Sequence, residues 1–214
     1  MSMPASALAR PFFIAGVSLV ATMWAAAPAF AQSARNCAVE TVKGTARVAG
    51  PQGERPAVAG LAIDAADIVQ TDVDGQVNII CSDGITITVG FASQIDLRTL
   101  VNGQPDETSI LLRLIDGIAG FIVPQKTFPS FRVETQTAVA AVRSTEWLVD
   151  AHEGATDIFV RDGRVSVDPT GGVEVVLAAG DGVDIDADGQ AAEVKQWSAM
   201  RISAAGTRLG FAWQ

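Results

Sequence analysis

Thr137-Ala-Val-Ala-Ala-Val-Arg-Ser-Thr-Glu-Trp-Leu-Val149 is the stretch on which the reading of this chain turns. A run of small and β-branched residues reaches a polar break at Arg143-Ser144-Thr145 and resumes as a strand-like Trp147-Leu148-Val149. Two strands meeting at a short junction account for that order. The side-by-side Arg, Ser, Thr and Glu also have the look of an active-site turn, so the rest of the chain has to be searched for partners to them.

On either side the pattern is again period two. Thr45–Ala49, Gln76–Ile80, Ile85–Val89 and Thr156–Val160 are short, β-branched and separated by Gly, Asp and Pro. That composition and spacing describe an all-β domain. Asp-Gly followed at once by alternating apolar residues recurs at Asp74-Gly75, Asp83-Gly84, Asp116-Gly117, Asp162-Gly163 and Asp181-Gly182. Glycine there supplies the positive φ of a tight turn. The spacing of the repeats is uneven, which excludes a strict short-period solenoid. An irregular β-solenoid or roll of short strands is expected, with a β-sandwich as the alternative. Within Ser109–Val123 the break at Asp116-Gly117 predicts two strands joined by a turn, a helix for the first half being the other reading. Val194, Trp197 and Met200 or Arg201 recur at helical spacing, so a short amphipathic helix is predicted over Glu193–Ala204. The apolar Leu209–Gln214 reads as a last strand or a packed tail.

Residues 1–31 read as a secretory signal peptide. Arg10 is the only charge, Phe12–Ala27 is apolar, and Ala29-Phe30-Ala31 is a small-x-small site, which places cleavage before Gln32. An uncleaved anchor is the alternative, but the apolar run is short of the roughly 20 residues of a spanning helix. Residues 32–214 then form a single domain, large enough for a core of its own. Removing Arg10 takes the net charge from −9 to −10. So acidic an exported domain is a poor partner for nucleic acid or anionic lipid. No second apolar run has spanning length, so no membrane span is expected after cleavage. Cys37 and Cys81 both follow the leader, and in an oxidising compartment such a pair is most simply a disulfide. Two buried free thiols are the alternative.

The search for chemistry finds no constellation. His152 is the only histidine, set in a polar turn-like stretch, and no nucleophile has a base beside it. Too few His and Cys remain for a metal centre of that type, and no phosphate-binding glycine loop occurs. Asp184-Ile-Asp-Ala-Asp-Gly189 begins like a calcium loop, but Lys195 falls where the twelfth-position Glu belongs. It reads as a solvated acidic turn. Carboxylates are plentiful, yet no spacing singles out a hydrolytic pair. No enzyme, cofactor or metal is expected.

One resemblance organises the remainder. Thr137–Val149, then Thr156-Asp-Ile-Phe-Val-Arg-Asp-Gly-Arg-Val-Ser-Val167, then Leu177-Ala-Ala-Gly-Asp181 resemble the FecR domain family, whose members show an Ala-Val-Arg-Gly-Thr core in this order of strands. Gly44–Val48, Asp67–Thr71 and Val77–Val89 resemble its earlier strands, so the likeness covers about residues 42–186. It implies an all-β periplasmic module of the kind found in ferric-dicitrate-type signalling regulators. In those, an anti-sigma region and a membrane helix precede the domain. Here a signal peptide stands in their place, which implies a freestanding exported form, periplasmic or secreted. Ser144 occupies the family's usual Gly position, and Val142, Arg143, Ser144 and Thr145 are expected to form a structural junction, with Arg143 tied to carbonyls of the turn. The expected function is a non-catalytic binding or scaffold module for an envelope protein or glycan. The alternative is a regulatory partner in iron-transport or sigma-factor-linked signalling.

Overall fold

The computed structural model describes residues 36–64, 66–97, 100, 109–125 and 130–210. The leader assigned to residues 1–31, the segment 32–35 and the apolar tail 211–214 lie outside these. The chain opens with β1 (Cys37–Lys43), crosses to β2 (Ala46–Gly50) and β3 (Gly53–Pro56), and returns for β4 (Ala62–Ile63). It crosses again to β5 (Ile68–Thr71), back to β6 (Gln76–Cys81) and β7 (Thr86–Val89), and over to β8 (Gln94–Asp96). After the long β9 (Ser109–Val123) come β10 (Ser130–Glu134) and β11 (Ala138–Val142), then β12 (Thr145–His152) and β13 (Ala155–Asp162). The last pairs are β14 (Arg164–Pro169) with β15 (Val175–Ala178), and β16 (Asp181–Ile185) with β17 (Lys195–Gln196); helix α1 (Ala199–Leu209) follows.

Pairing sorts these strands into two layers. One runs β4-β1-β6-β7-β9-β12-β13-β16-β17 and the other β3-β2-β5-β8-β9-β10-β11-β14-β15. All the contacts are antiparallel except β9 with β10. The fold is all-β and open-edged, and strand order in each layer nearly follows chain order. Neighbouring strands are therefore close in sequence, as in a roll, while the inward residues of both layers form one core, as in a sandwich. Phe121 of the first layer meets Phe131 of the second with ring centroids 5.6 Å apart, and Trp147 stands 5.0 Å from Phe121 on the other side.

β9 belongs to both layers. Its first half pairs with β8 and β10, its second half with β7 and β12. The two strands and a turn predicted for this stretch are thus one strand with a bend. Gly117 makes the bend, at φ +84°, and a Cβ there would collide with Ser93. The Ser93 hydroxyl accepts from Ile118 N at 2.9 Å, so the exposed amide of the bend is satisfied. The Asp-Gly repeats prove to serve different purposes. Asp83-Gly84 joins the β6–β7 hairpin, Asp116-Gly117 and Asp162-Gly163 turn corners between layers, and Asp181-Gly182 lies inside β16.

Strand patterning differs between layers for a reason. In the second layer β11 and β14 alternate buried with less buried residues, so their outer faces meet solvent. In the first layer Leu148 and Phe159 are buried although they point away from the main core, because α1 covers them. Ile118, Leu148, Phe159, Trp197, Ala205 and Leu209 form this second cluster. The helix starts at Ala199, later than the spacing predicts, because the Ser198 hydroxyl accepts from Arg201 N as its N-cap. The residues before it pair with β16 instead. Trp197 stacks on Phe159 at 4.9 Å, and Arg201 lies 3.8 Å above the Trp197 ring.

Charge completes the attachment. Arg201 donates to Asp157 and to Asp184, both at 2.7 Å, Lys195 reaches Asp184 at 2.9 Å, and Arg208 pairs with Asp150. Burial alone would raise the Asp184 carboxyl, but the hydrogen bonds from Arg201 and Lys195 outweigh it and hold Asp184 below its ordinary value. At Asp150 burial wins over the Arg208 pair, and the carboxyl is raised.

Cys37 and Cys81 sit opposite each other on β1 and β6 and are joined as a disulfide. The bond closes a loop of 44 residues, for which unfolded-chain entropy gives about 4 kcal/mol. Urea unfolding of Cys37→Ser/Cys81→Ser should show a loss of about 2–4 kcal/mol, matching wild type under reductant. A second outcome concerns pH. A lowered carboxyl contributes stability that is present above its unfolded value, near 3.8, and lost as pH falls through its folded value. Asp184→Asn should therefore unfold at lower urea than wild type at neutral pH, and the two midpoints should converge as pH drops below about 4.

Candidate functional site

Strands β10, β11, β14 and β15 carry a shallow groove of about 760 Å³ on the outer face of the second layer. Register puts Arg132 opposite Ala141, Ala141 opposite Ser166, and Ser166 opposite Val176. Next to that row, Glu134 faces Val139 and Val139 faces Asp168. Arg143 and Ser144, immediately after β11, and Arg164, opening β14, close the other end. The floor is therefore small and apolar, one end is basic and the other acidic. At the acidic end the Ser166 hydroxyl donates to the Glu174 carboxylate.

The basic end stands out once the other arginines are accounted for. Nine arginines lie among the described residues. Arg47, Arg55, Arg113, Arg161, Arg201 and Arg208 all form ion pairs with carboxylates of the chain itself. The three left over, Arg132, Arg143 and Arg164, are exposed, have no ion-pair partner among the described residues, and all line this groove. In a chain with 24 acidic against 15 basic residues, three guanidinium groups without a carboxylate are out of proportion. Each offers five donors in a planar fork.

The Val142-Arg143-Ser144-Thr145 junction is divided by the layer crossing. Val142 and Thr145 are buried, Val142 bordering the groove from below, while Arg143 and Ser144 stand open along it. The Thr145 hydroxyl donates to Arg164 O at 3.0 Å and accepts from Arg164 N at 3.4 Å. It thus clamps the β13–β14 corner against the β11–β12 corner. Gly163, at φ +89°, lies against the same place, and a Cβ on it would sit 2.6 Å from Ser144 O. Ser144 itself does not have positive φ, so its backbone makes no demand that only glycine meets. Arg143 does not tie itself to the turn carbonyls. Its side chain points out along the groove because the inward place is filled by Thr145.

The other sequence candidates lie elsewhere. The Cys37–Cys81 bond is on the first layer, β1 to β6, outside the groove. His152 Nε2 stands 3.3 Å from Asp157 Oδ2, next to the Arg201 ion pairs that hold the helix. In the calcium-like loop Asp184 is taken by Arg201 and Lys195, and Asp186 Oδ1 accepts from Asp188 N at 3.0 Å and Gln190 N at 2.8 Å. Its carboxylates close an Asx-type turn and a helix anchor. Arg132 and Arg164 received no weight from the sequence, since neither lies in a motif of known chemistry.

The clamp has a measurable consequence. Thr145→Val keeps the shape but removes both hydrogen bonds to the Arg164 backbone, and should lower unfolding free energy by about 1–2 kcal/mol. Thr145→Ser retains the hydroxyl and should recover most of it, as read by urea titration.

The family model described as FecR protein matches residues 67–166. These run from β5 into β14 and include the groove strands β10 and β11. No curated protein gives a significant match to the chain. Two crystal structures of a candidate anti-sigma factor from Parabacteroides distasonis are similar in fold, each at a TM-score of 0.55 and 18% identity. The match covers 64% of this chain in both cases, and 62% and 63% of theirs, so less than two thirds of that protein is spanned.

Proposed function

The chain carries a FecR-family domain over residues 67–166, and from that premise we propose that it is an exported, non-catalytic binding module of the cell envelope whose ligand surface is the arginine-lined groove. The observation that carries this reading is the convergence of the three unpaired arginines on one face. Their neighbours Ser130, Ser144 and Ser166 have no imidazole near them, the only histidine being engaged beside α1. The groove is shaped to bind, with donors fixed on rigid strands above an apolar floor. The partner is an envelope protein or glycan. A photoreactive residue at Ala141, in the groove, should capture a defined envelope component, while one at Ile80, exposed on the first layer, should not. Equal capture at both positions, or none at Ala141, would sink the reading.

Export is part of the same proposal, with residues 1–31 as a signal peptide and 32–214 as the mature domain, periplasmic or secreted. The Cys37–Cys81 disulfide supports an oxidising compartment, and no described helix is long and apolar enough to cross a membrane. Mass spectrometry of protein from the envelope fraction should give an N-terminus at Gln32 and no free thiol.

A second reading draws on the family and on the anti-sigma description of the similar structure. In it the module regulates iron transport or sigma-factor-linked signalling together with a separately encoded membrane component. Deletion should then alter transcription of neighbouring transporter and sigma-factor genes under iron limitation. Unchanged transcript levels would remove it.

A further inference from the structure

We propose that the groove on β10, β11, β14 and β15 is the docking surface for an extended protein segment that carries a short cluster of Asp or Glu side chains at one end and small apolar side chains beyond it. The proposal rests on the groove being the ligand surface and adds the chemistry of the ligand.

Charge selects one end of the ligand. Arg132, Arg143 and Arg164 leave the sheet from three neighbouring strands. At a strand spacing of about 4.8 Å their Cα atoms span on the order of 10 Å. Along the strands Arg132 lies one same-face row beyond the Arg143–Arg164 corner, about 7 Å away, which is the spacing of alternate carboxylates in an extended chain running that way. Guanidinium forks engage carboxylates in pairs of parallel hydrogen bonds. Ser144 stands among the arginines as a further hydroxyl donor.

The far end of the groove selects the rest of the ligand. Asp168 and Glu174 line it, and the stretch between is Val139, Ala141 and Val176. A uniformly anionic polymer, such as an acidic glycan, or an anionic membrane surface would meet repulsion from those carboxylates over half its contact. Sugar rings also favour aromatic platforms, and none of the described residues lining this groove is aromatic. A peptide meets both constraints, because its charge can stop after two or three residues and its small side chains can cover the valine-alanine floor. Orientation follows as well. The acidic end lies over the Arg143–Arg164 corner, and the rest points toward Asp168.

The test uses the protein purified from expression of the full chain and a labelled peptide with three acidic residues followed by alternating Val and Thr. Fluorescence anisotropy should show saturable binding that weakens as salt is raised. Arg132→Gln/Arg143→Gln/Arg164→Gln should lose at least about tenfold in affinity, and Arg161→Gln, whose partner Glu146 lies outside the groove, should bind as wild type. Circular dichroism and unfolding midpoints check that the triple variant is folded. The same peptide with Lys in place of the acids should not bind. Absence of binding by the acidic peptide, equal binding by the triple variant, or tighter binding of oligogalacturonate or phosphatidylglycerol vesicles would each overturn the proposal. A concentration-dependent dimer in sedimentation that Arg132→Glu abolishes would overturn it in favour of a second copy. Capture at Ala141 together with failure of the acidic peptide would leave the groove as the ligand surface and reject only its acidic ligand.

Discussion

A chain that passes from one sheet to another every strand or two must turn at the edge of the core, where backbone polar groups lose their ladder partners and water is scarce. Each group left unmatched costs about 1–3 kcal/mol, and this constraint shapes the whole molecule. Buried hydroxyls meet it at successive crossings. Thr71 donates to Gly90 O and accepts from Ser93 N between β7 and β8, and Ser93 accepts from the amide of the β9 bend. Thr145 serves Arg164 at the β13–β14 corner. The Thr156 hydroxyl meets those of Thr135 and Thr137 between the layers, each at 2.8 Å. Without such groups, short strands could alternate layers only by exposing the core or by leaving buried groups unpaired.

The all-β class was legible because strand period survives in one-sided strands. Ala138–Val142 and Arg164–Pro169 bury one face only, and their alternation shows it. Asp-Gly was visible as a reversal, but Gly75 and Gly182 do not have positive φ, and at Gly84, Gly117 and Gly163 positive φ serves a hairpin and a corner equally. Whether the next strand pairs with the last or crosses over depends on residues far along the chain, such as Ser93 behind Gly117. The C-terminal helix was half legible. Its spacing was sound, but Ser198 as N-cap and the pairing of Lys195–Gln196 with β16 moved its start.

The groove was not legible, and the reason is physical. Nothing local separates Arg132 or Arg164 from the arginines that pair with carboxylates elsewhere. Their availability emerges only by subtraction, after Arg47, Arg55, Arg113, Arg161, Arg201 and Arg208 have found partners on other strands or turns. The motif Val142–Thr145 drew attention for its resemblance, and the structure separates two parts within it. Val142 and Thr145 face in, where packing and hydrogen bonds determine them, and Arg143 and Ser144 face out, where the fold places no demand.

That division explains how an acidic chain can keep three arginines uncommitted. An exposed ion pair contributes about 0–1 kcal/mol to stability, because water and salt screen it and two long side chains must be ordered to form it. Leaving Arg132, Arg143 and Arg164 without carboxylates therefore costs the fold little. Guanidinium groups left open in this way remain available to a charged partner, for which complementarity sets encounter rate and register. Arg201 presents the opposite case on the other layer. Half-buried over Trp197 and held by Asp157 and Asp184, it has its charge matched by two carboxylates of the chain and serves to attach the helix. Arg47, Arg55 and Arg113 are paired in the same way on the second layer. Only at the groove does that layer keep three arginines open, on strands that are already fixed from beneath by Thr145 and the core.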